Sequence, residues 1–285
     1  MKHAGEFFAW AREREAIRRR RAAGQPWPWT DDPALRDYRI TNVFREYDKT
    51  TTWFREHVRS KLGGLAVVEA VVAFRWFNRI ETGARVLDLL LHGWDASEAR
   101  RRLTGIEPVV TGAYVIKTPD GRSKLEGVLW CIESARARLP MLVPTPATSR
   151  RQVWGSLQAI PYVGVFMAGE IVEDLTHTDV LREATDIDTW VAAGPGCARG
   201  LGWVVRDDPR TYNYNNRTDQ AEMCAAMQEL LRLSRSETYW PQAWDRWRLH
   251  SAEFWACEVD KIRRARNGER PKRRYAPPTQ DVLWK

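Results

Sequence analysis

Four groups of residues in this chain have types and spacings suited to gripping a multiply charged anion and moving a proton. Arg75, Asn78 and Arg79 close the most apolar stretch of the sequence, residues 65–80. Burying an unpaired charge is very costly, so such a row requires a carboxylate network, a ligand anion or a cavity. Arg39, Asn42, Arg45, Glu46 and Lys49 recur at spacings that put them along one stripe of a helix, with Asp48 bordering the core. A solvated face is the ordinary source of such a stripe. Its asparagine, and the rings of Tyr38 and Trp53 at its edge, depart from the usual Glu/Lys mix. Gly194-Pro195-Gly196 opens a further helix. Free backbone N–H groups at a helix start make an anion pocket, which Arg199 would reinforce. Glu258, Asp260 and Lys261 lie together in a late helix, as partners for these cations or as acid–base groups.

The elements that must position these groups read as helices. Residues 6–23 form an Arg-rich helix ended by Gly24, and a Pro/Trp linker follows. Asp32-Pro33 then supplies an N-cap with proline at the first helical position. Ile40, Val43, Phe44, Tyr47 and Phe54 predict one helix over 35–62, ended by Gly63-Gly64. Residues 65–80 are apolar almost all round and read as a central buried helix. Further helices are expected over 84–91, 125–139, 150–159, 165–175, 198–205, 219–235 and 243–265, with a small extended piece over 113–116. The fold class expected is mainly α. The domains expected are a basic helix and linker over 1–34, a helical catalytic domain over 35–265, and a basic C-terminal arm over 266–285.

Bulk composition narrows the function. With 285 residues and 44% hydrophobic side chains, the chain can bury a substantial core. A net charge of +8 attracts polyanions, and some of the 15 tryptophans are available for base stacking. Cys131, Cys197, Cys224 and Cys257 are far apart and form no CxxC, and the histidines show no metal-ligand spacing. No metal and no cofactor are therefore expected. No stretch is long and apolar enough for a membrane span, and the default compartment is the cytoplasm.

Ile160-Pro161-Tyr162-Val163-Gly164-Val165-Phe166-Met167-Ala168 resembles the helix-hairpin-helix motif, in which a glycine turn exposes backbone N–H groups to a DNA phosphate. Tyr162 replaces the first glycine of that motif. The resemblance assigns Tyr162 and Gly164 to DNA contact, and the glycine-opened helix start adds Gly194 and Gly196. It implies a two-lobed fold like that of the helix-hairpin-helix DNA glycosylases, with at most a small β element and the hairpin over 150–175. In those enzymes a catalytic aspartate follows the hairpin. Here Asp186 and Asp188 occupy that region, ahead of the Gly-Pro-Gly helix start.

Arg39 to Thr51, Phe77-Asn78-Arg79-Ile80, Gly112 to Ile116, Gly194 to Leu201 and Cys257 to Lys261 together resemble one family. This is the α-glutamyl/putrescinyl-thymine pyrophosphorylase group, the amino acid:DNA transferases of phage thymidine hypermodification. The helical domain of the 5-hydroxymethyluracil DNA kinases is a close relative. The resemblance covers roughly residues 35–275. It implies displacement of pyrophosphate from 5-(pyrophosphoryloxymethyl)uracil in double-stranded DNA by an amine, from an amino acid such as glycine or from a polyamine. The amine is a co-substrate, a 5-hydroxymethyluracil DNA kinase is an expected partner, and the compartment is the host cytoplasm if the chain is phage-encoded.

On that basis Arg39, Arg45, Arg75, Arg79 and Arg199 are expected on pyrophosphate or the DNA backbone, and Asn42 and Asn78 on the base or the phosphate. Lys49 and Lys261 are further anion contacts, and Asp48, Glu258 and Asp260 are candidate bases. Two other classes stay open. A base-excising glycosylase would act through Asp186 or Asp188, and a non-catalytic DNA-binding subunit would present DNA to the kinase. A self-sufficient kinase would need a phosphate-binding Gly-Lys-Ser/Thr loop, and none is found in the sequence.

Overall fold

The computed structural model describes residues 1–269 and 274–276. The chain divides into two compact units, one built from residues 1–48 and 193–285, the other from residues 49–192. These borders differ from the division at 34/35 and 265/266 expected from the sequence. The residues of the C-terminal arm beyond 269 fall outside the described residues, apart from 274–276. Among the described residues the structure is mainly helical and has no strand; the piece over 113–116 pairs with nothing as a strand. One isolated bridge joins Tyr38 to Arg274.

The first unit opens with α1 (Ala4–Ala22) and α2 (Pro33–Asp37). Asp32 caps α2 by accepting from the Ala34 amide at 2.9 Å, as the Asp-Pro pair predicts. The continuous helix expected over 35–62 does not form. After α2 the chain runs extended from Tyr38, makes one 3-10 turn over Arg45–Tyr47 and is extended again at Asp48. The reason is local competition for the backbone. The Asp48 carboxylate takes the Asn42 amide at 3.1 Å, and Glu258 takes the Thr41 amide at 3.1 Å, so neither amide is given to a helical carbonyl. Ile40, Val43 and Phe44 are buried all the same, so their spacing reported burial and not helix.

The second unit holds α3 (Lys49–His57), α4 (Gly64–Phe77), α5 (Ile80–Arg85), α6 (Leu87–His92), α7 (Ala96–Leu103), α8 (Lys124–Arg136), α9 (Leu139–Leu142), α10 (Arg150–Leu157) and α11 (Val165–Thr176). A second 3-10 turn over Arg59–Lys61 precedes α4. α4 is the buried centre: Val67, Val68, Val71, Val72, Phe74 and Phe77 have no exposed surface. It ends where Asn78 turns left-handed, at φ 43°, a conformation asparagine tolerates better than most residues. The α10–α11 hairpin forms as expected. Ser149 caps α10, and the Trp154 indole donates to the Val165 carbonyl at 3.0 Å, tying the second helix to the first.

The chain returns to the first unit with α12 (Pro195–Arg206), α13 (Arg217–Leu233) and α14 (Leu249–Arg266). α12 crosses α14 so closely that a methyl group on Gly200 would lie 1.8 Å from the Ala256 carbonyl oxygen. Gly200→Ala should therefore cost about 3 kcal/mol or more in urea unfolding, since the obstacle is backbone and cannot rotate away. The core here is aromatic. Trp247 lies 5.7 Å from Phe7, 5.3 Å from Phe8 and 5.3 Å from Trp240, which accounts for several of the tryptophans as packing.

Candidate active site

In the first unit, α1, the irregular segment 38–48 and α14 bring together a cluster of ionisable groups. Asp48 accepts from both the Asn42 amide and the Asn42 side-chain amide, at 3.1 and 3.0 Å, on the same oxygen. Burial pushes its carboxyl up to about 6. The Asn42 hydrogen bond and the Arg14 and Arg45 charges pull it down, and the Glu258 charge adds to the rise. Asp48 can therefore gain and lose a proton near neutral pH.

Glu258 is buried and fully engaged. One oxygen accepts from the Thr41 amide at 3.1 Å, and the other from the Lys261 ammonium at 2.5 Å. Burial alone would lower the Lys261 pKa, but the charge and hydrogen bond of Glu258, with smaller help from Cys257 and Asp48, together raise it. Sequence reasoning missed Arg14. Its guanidinium donates to the Ile40 carbonyl at 3.0 Å and sees the charges of Asp48 and Glu258, while burial pulls its pKa down. Nothing in the row of arginines on α1 marked this one.

Asp260 takes the Arg199 Nε on both oxygens at 3.1 Å and the Trp203 indole at 3.2 Å. A carboxylate held by three such contacts is a clamp for Arg199. Among the candidate bases the geometry favours Asp48.

The arginine–asparagine stripe needs correction, because the helix it required is absent. Arg39 is exposed, Arg45 is buried in the 3-10 turn, and Lys49 starts α3 in the other unit. Asn42 of that row joins the Asp48 cluster through its backbone and side-chain amides, and it also donates to the Tyr47 carbonyl at 2.8 Å.

The anion pocket at Gly194-Pro195-Gly196 also needs correction. The Gly194 amide is directed to the Glu253 carboxylate of α14 at 3.3 Å, so an anion of the chain itself already stands there. Gly196 faces Cys257, whose sulfur would lie 3.2 Å from an added methyl group. Close helix packing explains both Gly196 and Gly200.

In the second unit Arg75 is buried within a carboxylate network. Its Nε and Nη2 donate to Asp174 at 2.5 and 2.8 Å, its Nη1 donates to Asn78 at 2.9 Å, and Glu170 lies 3.5 Å away. Arg59 reaches the same Asp174 at 3.5 Å. Burial would lower the Arg75 pKa, but the charge and hydrogen bonds of Asp174 outweigh it and raise it. The expected role of Arg75 on pyrophosphate is thus replaced by an ion-pair network. Its carboxylates come from α11, where Glu170 and Asp174 share one helix face. Arg79 is tied locally, to the Pro108 carbonyl at 2.6 Å and to Glu81 at 3.0 Å.

At the hairpin, Tyr162 sits at φ 65° and is 43% exposed. Gly164 starts α11 with no side-chain cap, and an added methyl group there would meet nothing within 4 Å. The space beside Gly164 is open.

Asp186 caps α10. It accepts from the Ser149 hydroxyl at 2.8 Å and from the Arg150 and Arg151 amides at 2.8 and 3.0 Å. Burial would raise its pKa, but these donors outweigh it and hold it below the usual carboxylate range. This arrangement fits a structural cap and weakens a base-excising role. Asp186→Ala should cost about 1 kcal/mol at pH 7. Because the folded pKa is depressed, that cost is present above the unfolded value of 3.8 and fades as pH falls below it, as urea melts at pH 7 and pH 3 would show.

The chain is thus basic and helical, with an acid–base cluster in one unit and a helical hairpin in the other. The chain belongs to the family of 5-hmdU DNA kinase helical domains, whose model matches residues 2–271. It is similar to the 5-hmdU DNA kinase of Bacillus phage SP10, 28% identical over 313 residues, with 95% of this chain and 48% of that protein covered. The chain therefore spans about half the length of the curated relative it matches. No solved structure matches. No helix among the described residues is long and apolar enough to cross a membrane.

Proposed function

We propose that the chain transfers an amine onto a modified thymine in DNA, displacing pyrophosphate from 5-(pyrophosphoryloxymethyl)uracil. The carbon–oxygen bond between the 5-methylene and pyrophosphate breaks, and a carbon–nitrogen bond to the amine forms. The surplus proton of the incoming ammonium goes to a general base. The observation that carries the reading is the Asp48 carboxyl, pushed up to about 6 and fixed by Asn42. A base with that pKa is largely ionised at pH 7 and still basic enough to take a proton.

Basic groups of the same unit, Arg14, Arg45 and Lys261, surround Asp48 with positive charge suited to the departing anion. Arg39 and Arg199 remain candidates for the DNA backbone or the pyrophosphate. Tyr162 and Gly164 are proposed to meet a DNA phosphate at the hairpin, and the target base would leave the duplex to react. No cofactor enters this scheme, and the amine is a co-substrate.

A second reading follows from the comparisons. The chain matches a helical domain and covers about half of a kinase, so it would hold modified DNA for a separate kinase. Pyrophosphate release separates the two. Modified DNA plus a primary amine should release pyrophosphate in proportion to amine under the first reading. Binding to modified DNA with no release under any amine supports the second.

A further inference from the structure

We propose that the C-terminal half of α1 is a pre-organised ledge for the phosphate backbone of DNA, formed by Arg18, Arg19 and Arg21 and held flat by the rings of Tyr47, Trp244 and Trp29. The inference rests on reading the chain as a DNA-binding module, and it names the surface in the first unit that does the holding.

Three guanidinium groups stack on three rings: Arg18 lies 3.9 Å from the centre of Tyr47, Arg19 4.7 Å from Trp244, and Arg21 5.5 Å from Trp29. Glu15, one turn back and only 1% exposed, fixes two of them. Arg18 reaches it at 2.8 and 2.5 Å and Arg19 at 2.9 Å. Asp245, which accepts from the Tyr47 hydroxyl at 2.8 Å, is a second carboxylate beside Arg18, and three arginines against two carboxylates leave the ledge positive. Arg21 is exposed and has no carboxylate partner among the described residues.

Stability alone does not explain the arrangement. Arg18 compensates the buried Glu15 charge, but the more exposed Arg19 pair and the exposed Arg21–Trp29 contact contribute little to folding. Their effect here is to remove the rotational freedom that three long side chains would otherwise lose on gripping a polyanion. A planar guanidinium already oriented by a ring is matched to phosphate oxygens. The chain's +8 supplies the long-range attraction. The ledge also leads to the candidate active site, because Tyr47 is exposed and adjoins Asp48, and its carbonyl accepts from Asn42.

The test is the salt dependence of binding to unmodified duplex DNA by the full chain. Each arginine–phosphate contact contributes a slope of about one in log affinity against log salt. Arg19→Gln/Arg21→Gln should make that slope shallower by about two and weaken binding about tenfold or more at low salt. Arg101→Gln/Arg232→Gln removes two exposed arginines elsewhere and should leave the slope unchanged. A ledge variant with the wild-type slope overturns the proposal. An equal change in both variants also overturns it, since net charge alone would then account for the binding. Because the DNA carries no pyrophosphate, the result is independent of whether amine transfer occurs.

Discussion

Asp48→Asn is expected to lower amine transfer by about a hundredfold or more while making the protein more stable at pH 8. The first effect follows from removing the general base, which typically contributes 10²–10⁴-fold, about a hundredfold or more here. The second follows from linkage. Burial raises the folded-state pKa of Asp48 from 3.8 to about 6, so the folded protein holds its proton more tightly than the unfolded chain does. Wild-type stability therefore declines as pH rises from about 4 to about 6, and the deficit stays constant above that. Moving the carboxyl from 3.8 to about 6 corresponds to at most about 3 kcal/mol, reduced by the solvent that reaches this half-buried group.

The Asn42 hydrogen bonds need an oxygen at position 48, and an amide side chain retains one. Urea melts at pH 4 and pH 8 should coincide for the two proteins at the lower pH and favour Asp48→Asn at the higher. The transfer rate of the wild type should rise with pH about a midpoint near 6, and that limb should vanish in the variant. A variant that loses activity and also loses stability at pH 8 would show Asp48 to be a structural carboxylate.

Arg75→Met carries the second large effect. Removing one partner of a buried ion pair leaves the other charge unpaired, which typically costs about 3–5 kcal/mol. Asp174 would lose the two donors nearest its oxygens, and Asn78 would lose the donor that fixes its side chain. Denaturation in urea should show a loss of that size. An Arg75→Met protein as stable as the wild type, but inactive, would return the guanidinium to the substrate.

What the sequence made legible depended on whether a residue's purpose is local. The Asp32-Pro33 cap, the all-apolar α4 and the α10–α11 hairpin are specified by neighbours in sequence and form as expected. The run 38–48 was misread because its apolar spacing satisfies a helix, while the deciding bonds come from Asp48 and from Glu258, over 200 residues away. The Gly-Pro-Gly start was read as an opening for a ligand. Only the crossing of α12 and α14 reveals that Ala256 and Cys257 occupy the space the glycines leave.

Charge partners were the least legible feature. Arg75 was set beside Glu258 and Asp260 because all three are polar groups in apolar helices, yet α11 supplies Asp174 and Glu170. Arg14 is one of many arginines on α1, and only its neighbours Asp48 and Glu258 set it apart. The Asp48–Glu258–Lys261 grouping was legible in part, since all three were candidates for acid–base work before their proximity was seen.

The central claim is amine-for-pyrophosphate exchange on DNA. It is tested most directly by incubating the chain with duplex DNA carrying 5-(pyrophosphoryloxymethyl)uracil and a panel of amino acids and polyamines, then digesting to nucleosides and weighing them. The account predicts a thymidine heavier by one amine, with one pyrophosphate released per adduct. Nucleoside masses unchanged by every amine, or abasic sites in place of adducts, would contradict it.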